Sequence, residues 1–92
     1  MKRRLSINIL GKVQGVTYRI NTQKIARKLN LTGWVRNNEN NTVNIIAEGE
    51  EAGLDELLKW CQSGPRYAKV ESIDFIWEKY IGDMKGFDIL YK

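Results

Sequence analysis

The chain has 92 residues, of which 15 are Lys or Arg and 11 are Asp or Glu, so its net charge is +4. A chain of this length predicts one domain, residues 1–92, with a modest core, and no apolar run is long enough to span a membrane. The absence of His excludes the commonest general base and metal ligand, and the single cysteine, Cys61, excludes an internal disulfide and favours a cytoplasmic location.

Strand-like and helical patterns alternate along the first third of the chain. Leu5, Ile7 and Ile9 recur at every second position and predict a strand that ends at Gly11. Residues 12–18 have no helical stripe and predict a loop. A helix is predicted next, because apolar or small residues recur at i, i+3, i+4 and i+7, namely Thr22, Ile25, Ala26 and Leu29. Asn30 is predicted to cap its C-terminus.

From residue 31 onward the pattern predicts two strands, a second helix and two further strands. Residues 31–37 and 43–49 predict two strands joined by an Asn-rich hairpin turn at residues 38–41. A second helical stripe, ended by Ser63-Gly64-Pro65, consists of Leu54, Leu57, Leu58 and Cys61. Residues 70–78 predict the fourth strand, and residues 87–91 a short terminal strand.

The predicted order, β-α-β-β-α-β plus a short terminal strand, is typical of an α+β, ferredoxin-like fold of the split βαβ type. We expect an antiparallel sheet with two helices on one face. Right-handed crossovers would place the first and third strands side by side in its centre. This fold hosts many functions and identifies none of them.

The segment Gly11–Arg19 joins the first strand to the first helix. Backbone N–H groups at the start of a helix are unpaired and favour an anion, and a guanidinium can hold two phosphate oxygens. Arg19, at the junction of loop and helix, is therefore a candidate phosphate ligand. The spacing alone is equally compatible with a plain glycine-containing connection and a solvated arginine.

A second candidate is Asn37, the last residue of Gly33-Trp34-Val35-Arg36-Asn37. Its amide offers two donors and an acceptor, enough to hold a water molecule and a phosphate oxygen together. Considered alone, Asn37 is better explained as turn chemistry, like the asparagines beside it.

Together, the two segments resemble the acylphosphatase family. In that family a G-x-V-Q-G-V-x-[F/Y]-R loop precedes a helix, and G-W-V-[R/K]-N follows it; here these are Gly11–Arg19 and Gly33–Asn37. The resemblance continues to the closing strand. Tyr18 stands where Phe is commoner and is expected to pack its ring inward, and Asn41 stands where many members have Gly.

The resemblance implies an enzyme, an acylphosphatase, that hydrolyses acyl phosphates to a carboxylate and inorganic phosphate. It implies that Arg19 and the loop amides bind the phosphoryl group and that Asn37 orients the attacking water, with no metal and no cofactor. The implied phosphate-binding loop is Gln14, Gly15, Val16, Thr17, Tyr18 and Arg19.

A carboxylate leaving group, whose conjugate acid has a pKa of about 4, departs without a general acid, so the lack of His is no obstacle to this reaction. We expect a monomer whose partners are a small-molecule acyl phosphate and its phosphate product, with no nucleic acid and no membrane.

The alternative is a small ferredoxin-like nucleic-acid-binding module. Residues 1–38 carry nine basic side chains and no acidic one, whereas residues 39–92 carry all 11 acidic ones. The third strand, however, has no aromatic residue and ends in acidic residues, unlike the RNA-binding motif of this fold. We expect the two halves to interleave in one sheet, Lys2-Arg3-Arg4 to be a solvated terminus, and Cys61 to be buried.

Overall fold

The computed structural model describes residues 1–15 and 17–91, so Val16 of the implied loop lies outside the described residues. In chain order its elements are β1 (Lys2–Lys12), α1 (Tyr18–Lys28), β2 (Thr32–Asn37), β3 (Val43–Glu50), α2 (Glu51–Ser63), β4 (Lys69–Glu78) and β5 (Phe87–Leu90). All the predicted elements are present. Neither helix in the described part of the chain has the length and apolar character needed to cross a membrane.

The sheet has the strand order β4-β1-β3-β2-β5. β1 pairs antiparallel with β3 and β4, and β3 pairs antiparallel with β2, so the first and third strands are neighbours as predicted. β5 instead pairs in parallel with β2, with Gly33 opposite Phe87 and Arg36 opposite Leu90. The α+β, ferredoxin-like fold is confirmed, but the expectation of an antiparallel sheet was wrong at this edge because the chain crosses the sheet between β4 and β5.

The core lies between the sheet and the two helices. α1 packs against β2 and β5, α2 packs against β1, β3 and β4, and buried residues of both helices belong to one apolar cluster. Both helices therefore cover the same face, as predicted, and each large side chain buried there contributes about 1.5–3 kcal/mol. The fully buried apolar residues of β1 and β3 that the core contains are Leu5, Ile7, Ile9, Val43, Ile45 and Ala47.

Asparagines provide the turns that the sequence predicts. Asn30 has a φ of 59°, and the N–H groups of Leu31 and Asn30 donate to the carbonyls of Ala26 and Arg27, at 2.9 and 3.1 Å. These bonds form a Schellman motif that ends α1 and directs the chain into β2. Asn41, with a φ of 66°, supplies the left-handed residue of the hairpin between β2 and β3.

Basic side chains of the first half lie beside acidic side chains of the second half, so the expected interleaving is confirmed. Arg4 of β1 lies 3.4 Å from Glu48 of β3 and 3.6 Å from Glu78 of β4, and Arg3 lies 3.5 Å from Glu51. The expectation that Lys2-Arg3-Arg4 is a solvated terminus was wrong for Arg3 and Arg4, which are half-buried and ion-paired, whereas Lys2 is exposed. These residues belong to β1, and Arg4 is paired on both sides.

The connection between β4 and β5, residues 79–86, passes the end of the sheet that contains the last residues of β3. Glu48 lies there opposite Arg4 of β1, yet it is only 1% exposed. Its carboxylate accepts hydrogen bonds from the backbone N–H groups of Ile81 and Gly82, at 2.8 and 3.1 Å, and contacts the Arg4 guanidinium. The buried carboxylate thus fastens the connection to the sheet and sets where β5 begins.

Replacing Glu48 with Ala would leave two backbone donors and the Arg4 guanidinium without their buried acceptor. We expect the free energy of unfolding to fall by about 2–4 kcal/mol, measured by urea denaturation followed with tryptophan fluorescence. Glu56, whose exposed carboxylate lies 3.9 Å from Lys59, is the matched control. Its replacement with Ala should change stability by less than about 1 kcal/mol. Equal losses in the two variants would contradict the role assigned to Glu48.

Candidate active site

A cavity of about 260 Å³ opens where the loop after β1 meets the start of α1 and the end of β2. Its size suits a small ligand. Both implied catalytic residues, Arg19 and Asn37, therefore lie at one cavity. The residues that line it are Val13, Gly15, Thr17, Tyr18, Arg19, Ile20 and Asn37.

The N-terminus of α1 faces this cavity without a side-chain cap. Thr17, the N-cap residue, makes no capping hydrogen bond, and the first turn contains no acidic residue. Backbone N–H groups and the helix dipole therefore give this end of α1 a positive potential, which favours an anion.

Thr17 holds a strained backbone conformation at the same place. Its φ of 63° and ψ of 21° are left-handed, which is uncommon for a β-branched residue. The Asn21 side-chain amide donates to the carbonyl and the hydroxyl oxygen of Thr17, at 2.9 and 3.0 Å. This clamp maintains a conformation of the kind that clusters at functional sites.

Two glycines of the motif segments are required by the backbone. Gly15 has a φ of 73°, and a Cβ placed there would meet no atom within 4 Å, so the space above it remains open to a ligand. Gly33 has a φ of 145°, and a Cβ there would overlap the carbonyl oxygen of Ile46 on β3. Gly15 thus leaves room at the cavity, whereas Gly33 allows β2 and β3 to approach closely.

Arg19 is the second residue of α1 and is half-buried. Its guanidinium lies over the ring of Tyr91, with Cζ 5.0 Å from the ring centroid. Among residues 1–15 and 17–91, no hydrogen bond or ion pair occupies its N–H groups. These donors are therefore available to the oxygens of a phosphate.

Asn37 ends β2, where it pairs with Val43 of β3. Its Oδ1 atom is buried and has no hydrogen-bond partner in the described part of the chain. An acceptor left in this state costs about 1–3 kcal/mol, and buried polar groups that lack a protein partner commonly bind water. Asn37 therefore presents an acceptor that a water molecule or a ligand can satisfy.

Gln14 joins the loop to the hairpin that follows Asn37. Its Nε2 donates to the carbonyl oxygens of Asn38 and Thr42, at 2.9 and 3.0 Å, which flank the turn. The Gln14 side chain is not among those that line the cavity. It instead couples the position of the loop to that of the strand end that carries Asn37.

Tyr18 and Cys61 contribute side chains to the core. Tyr18 is 1% exposed, its hydroxyl donates to the Cys61 carbonyl at 2.7 Å, and its ring centroid lies 5.2 Å from that of Trp60. The inward packing predicted for Tyr18 and the burial predicted for Cys61 are both confirmed. Burial raises the pKa of the Cys61 thiol to about 12, so the thiolate needed for nucleophilic attack is scarce at neutral pH.

The sequence did not identify three residues of this region as parts of the site: Val13 and Ile20, which line the cavity, and Tyr91, which contacts Arg19. Val13 and Ile20 give the cavity an apolar wall, and Ile20 remains 48% exposed. The sequence does carry a signal for Ile20, because it is an apolar residue off the buried stripe of α1. Tyr91 reaches Arg19 only because β5 runs parallel to β2, which the sequence pattern does not indicate.

The fold and the cavity define a small α+β domain in which the N-terminus of a helix, an arginine and an asparagine amide line one cavity. The family model described as Acylphosphatase matches residues 5–89, and the chain belongs to the acylphosphatase family. It is accordingly an enzyme, an acylphosphatase, and its reaction class is the hydrolysis of acyl phosphates.

Known proteins of the family match the chain over nearly its whole length. It is 41% identical over 88 residues to an acylphosphatase of Roseiflexus sp. (strain RS-1), covering 96% of this chain and 95% of that one. It is 41% identical over 91 residues to an acylphosphatase of Syntrophus aciditrophicus (strain SB), covering 99% and 95%. The crystal structure of acylphosphatase from Bacillus subtilis is similar with a TM-score of 0.93 and 33% identity, covering 99% of this chain and 100% of that chain.

Replacing Gln14 with Ala would release the hairpin from the loop. We expect kcat for an acyl phosphate to fall by roughly 10-fold, and KM to change less, because the Asn37 amide, which the resemblance implies orients the attacking water, would shift. Steady-state kinetics on acetyl phosphate measures both. Gln62, an exposed residue of α2, provides the control, and its replacement with Ala should leave both constants unchanged. An unchanged kcat in the Gln14 variant would argue against the coupling.

Proposed function

We propose that this chain hydrolyses acyl phosphates with Arg19 and the backbone amides of residues 14–19 binding the phosphoryl group and with Asn37 orienting the attacking water. The proposal rests on two groups that line the same cavity. One is an arginine, Arg19, whose N–H donors are available, and the other is the buried Oδ1 of Asn37, which accepts no hydrogen bond from the described residues. The first group fits an anion and the second fits a water molecule.

Binding of the phosphoryl group rests on fixed positive charge. The guanidinium of Arg19 and the N-terminus of α1 face the same cavity. Phosphoryl transfer passes through a loose transition state in which charge is spread over three equatorial oxygens. Donors that are already oriented stabilise that charge without reorganisation during the reaction.

Activation of the water rests on position. The Asn37 Oδ1 accepts a hydrogen bond from the water, and the Nδ2 of the same amide can donate to a phosphoryl oxygen. One side chain can thereby align the water oxygen with the phosphorus and with the bond that breaks. Alignment of this kind contributes a large part of the rate when no covalent intermediate forms.

The bonding changes need no protein acid or base. The water oxygen bonds to phosphorus, the bond from phosphorus to the acyl oxygen breaks, and the carboxylate leaves with the electron pair. Among the described lining residues only Arg19 and Tyr18 are titratable, and burial raises the pKa of the Tyr18 hydroxyl. This lining supports a phosphate oxygen of the substrate as the acceptor of the water proton.

We also propose that the enzyme acts as a cytoplasmic monomer on a small acyl phosphate and does not bind nucleic acid. Arg3 and Arg4 lie in ion pairs with carboxylates and so are not free to form a row of contacts to a phosphate backbone. The buried thiol of Cys61 is compatible with a reducing compartment.

A substrate panel tests the reaction. Acetyl phosphate and benzoyl phosphate should be hydrolysed, and alkyl phosphate monoesters should not, because an alkoxide leaving group requires an acid that the described lining residues do not supply. Release of inorganic phosphate measures each rate. Comparable rates for acyl phosphates and alkyl monoesters would refute the argument from the leaving group.

Two substitutions separate the proposed roles of the catalytic residues. Arg19→Ala should weaken binding of inorganic phosphate and nearly abolish turnover, whereas Asn37→Ala should lower kcat by roughly 10²–10³ while phosphate still binds. Phosphate titrations and steady-state kinetics on acetyl phosphate measure both effects. Lys24→Ala, which removes an exposed basic residue of α1, should change neither. Near-normal activity in either site variant would contradict the assignment.

A further inference from the structure

The guanidinium of Arg19 lies over the ring of Tyr91. Arg19 Cζ lies 5.0 Å from the centroid of that ring. Tyr91 directly follows β5, and the parallel register of β5 with β2 sets Leu90 opposite Arg36. The residues that follow this pair, Asn37 and Tyr91, therefore lie at the same end of the sheet.

An aromatic ring holds an arginine in a way that suits phosphate binding. The ring attracts the cation through its electron-rich face, and the guanidinium stacks with its own flat face. Its N–H donors lie in the plane of the group and remain free to bind oxygens. A carboxylate partner would instead occupy those donors and offset the charge, and within the described residues Arg19 has no such partner.

We propose that Tyr91 is a positioning residue that orients Arg19 before the phosphoryl group binds. The inference deepens the proposed function and rests on it, since Arg19 is the phosphate ligand in that function. An arginine has many rotamers in solution, so restricting them in advance lowers the entropy lost when phosphate binds. Tyr91 acts through Arg19 and touches neither the phosphate nor the water.

The exposure of Tyr91 argues against a role in core packing. Its side chain is 78% exposed and lies outside the buried cluster. The chain also contains a matched pair away from the cavity, in which Arg66 lies 5.6 Å from the centroid of the Tyr67 ring. Tyr67 is 72% exposed, so it controls for loss of an exposed, arginine-stacked tyrosine.

The test compares wild type with Tyr91→Leu, Tyr91→Phe and Tyr67→Leu. Kinetics on acetyl phosphate give KM and kcat, an NMR titration at fixed ionic strength gives the Kd of inorganic phosphate, and urea denaturation gives the stability. In Tyr91→Leu, KM and the phosphate Kd should rise together by roughly 2- to 5-fold, with a smaller change in kcat and none in stability. Tyr91→Phe should restore wild-type values because it keeps the ring, and Tyr67→Leu should match wild type.

Wild-type phosphate affinity in Tyr91→Leu overturns the inference. So does a Phe variant as weak as the Leu variant, because the hydroxyl and not the ring would then be responsible. Reduced stability with an unchanged KM would show a merely structural residue and also overturns it. If wild type hydrolyses no acyl phosphate but Tyr91→Leu still weakens phosphate binding, the proposed function fails and the positioning role stands. If wild type is active and Tyr91→Leu behaves like it, only the positioning role fails.

Discussion

A buried carboxylate holds the chain where it crosses from one edge of the sheet to the other. β4 and β5 lie on opposite edges, and the connection between them is fastened by Glu48 through two backbone N–H groups and Arg4. Because of this crossing, β5 joins the sheet beside β2 and runs parallel to it, ending where β2 ends. The arrangement of the cavity at one end of the sheet therefore depends on an interaction at the other end.

The chemical properties of the cavity come from the arrangement of its groups, each of which is common in proteins. A helix N-terminus, an arginine and an asparagine occur in most proteins; here Gln14, Asn21 and the register of β2 with β3 hold them around one small space. For a reaction with a good leaving group and a loose transition state, fixed charge and alignment are the main requirements. Such a site can do without the titratable pair that many hydrolases use.

Local chemistry explains which parts of this structure could be predicted from the sequence. Asn30 and Asn41 tolerate left-handed backbone, and the alternation of Leu5, Ile7 and Ile9 marks a half-buried strand, so caps, turns and most strands follow from neighbouring residues. The order of these elements gives the fold, and the two motif segments locate Arg19 and Asn37 through their resemblance to a family.

Features that depend on distant partners could not be predicted in this way. The pattern of Phe87 and Ile89 is the same whichever strand β5 joins and in either direction, so its parallel pairing and the approach of Tyr91 to Arg19 leave no local signal. Arg4 looks like part of a solvated terminus until Glu48 and Glu78 are placed on each side of it. The hydrogen bonds of Gln14 likewise appear only when the hairpin is in place.

The strand register also bears on how the chain reaches this structure. Residue 4 pairs with residue 78, and residue 33 pairs with residue 87. Pairings between such distant residues close long loops, whose entropy is lost before the contacts compensate for it, and this slows folding relative to a helical bundle of similar length. Asn37 belongs to the local hairpin of β2 and β3, whereas Tyr91, which contacts Arg19, follows the distant strand β5. A partly folded form in which β5 has not yet paired with β2 therefore lacks the complete site.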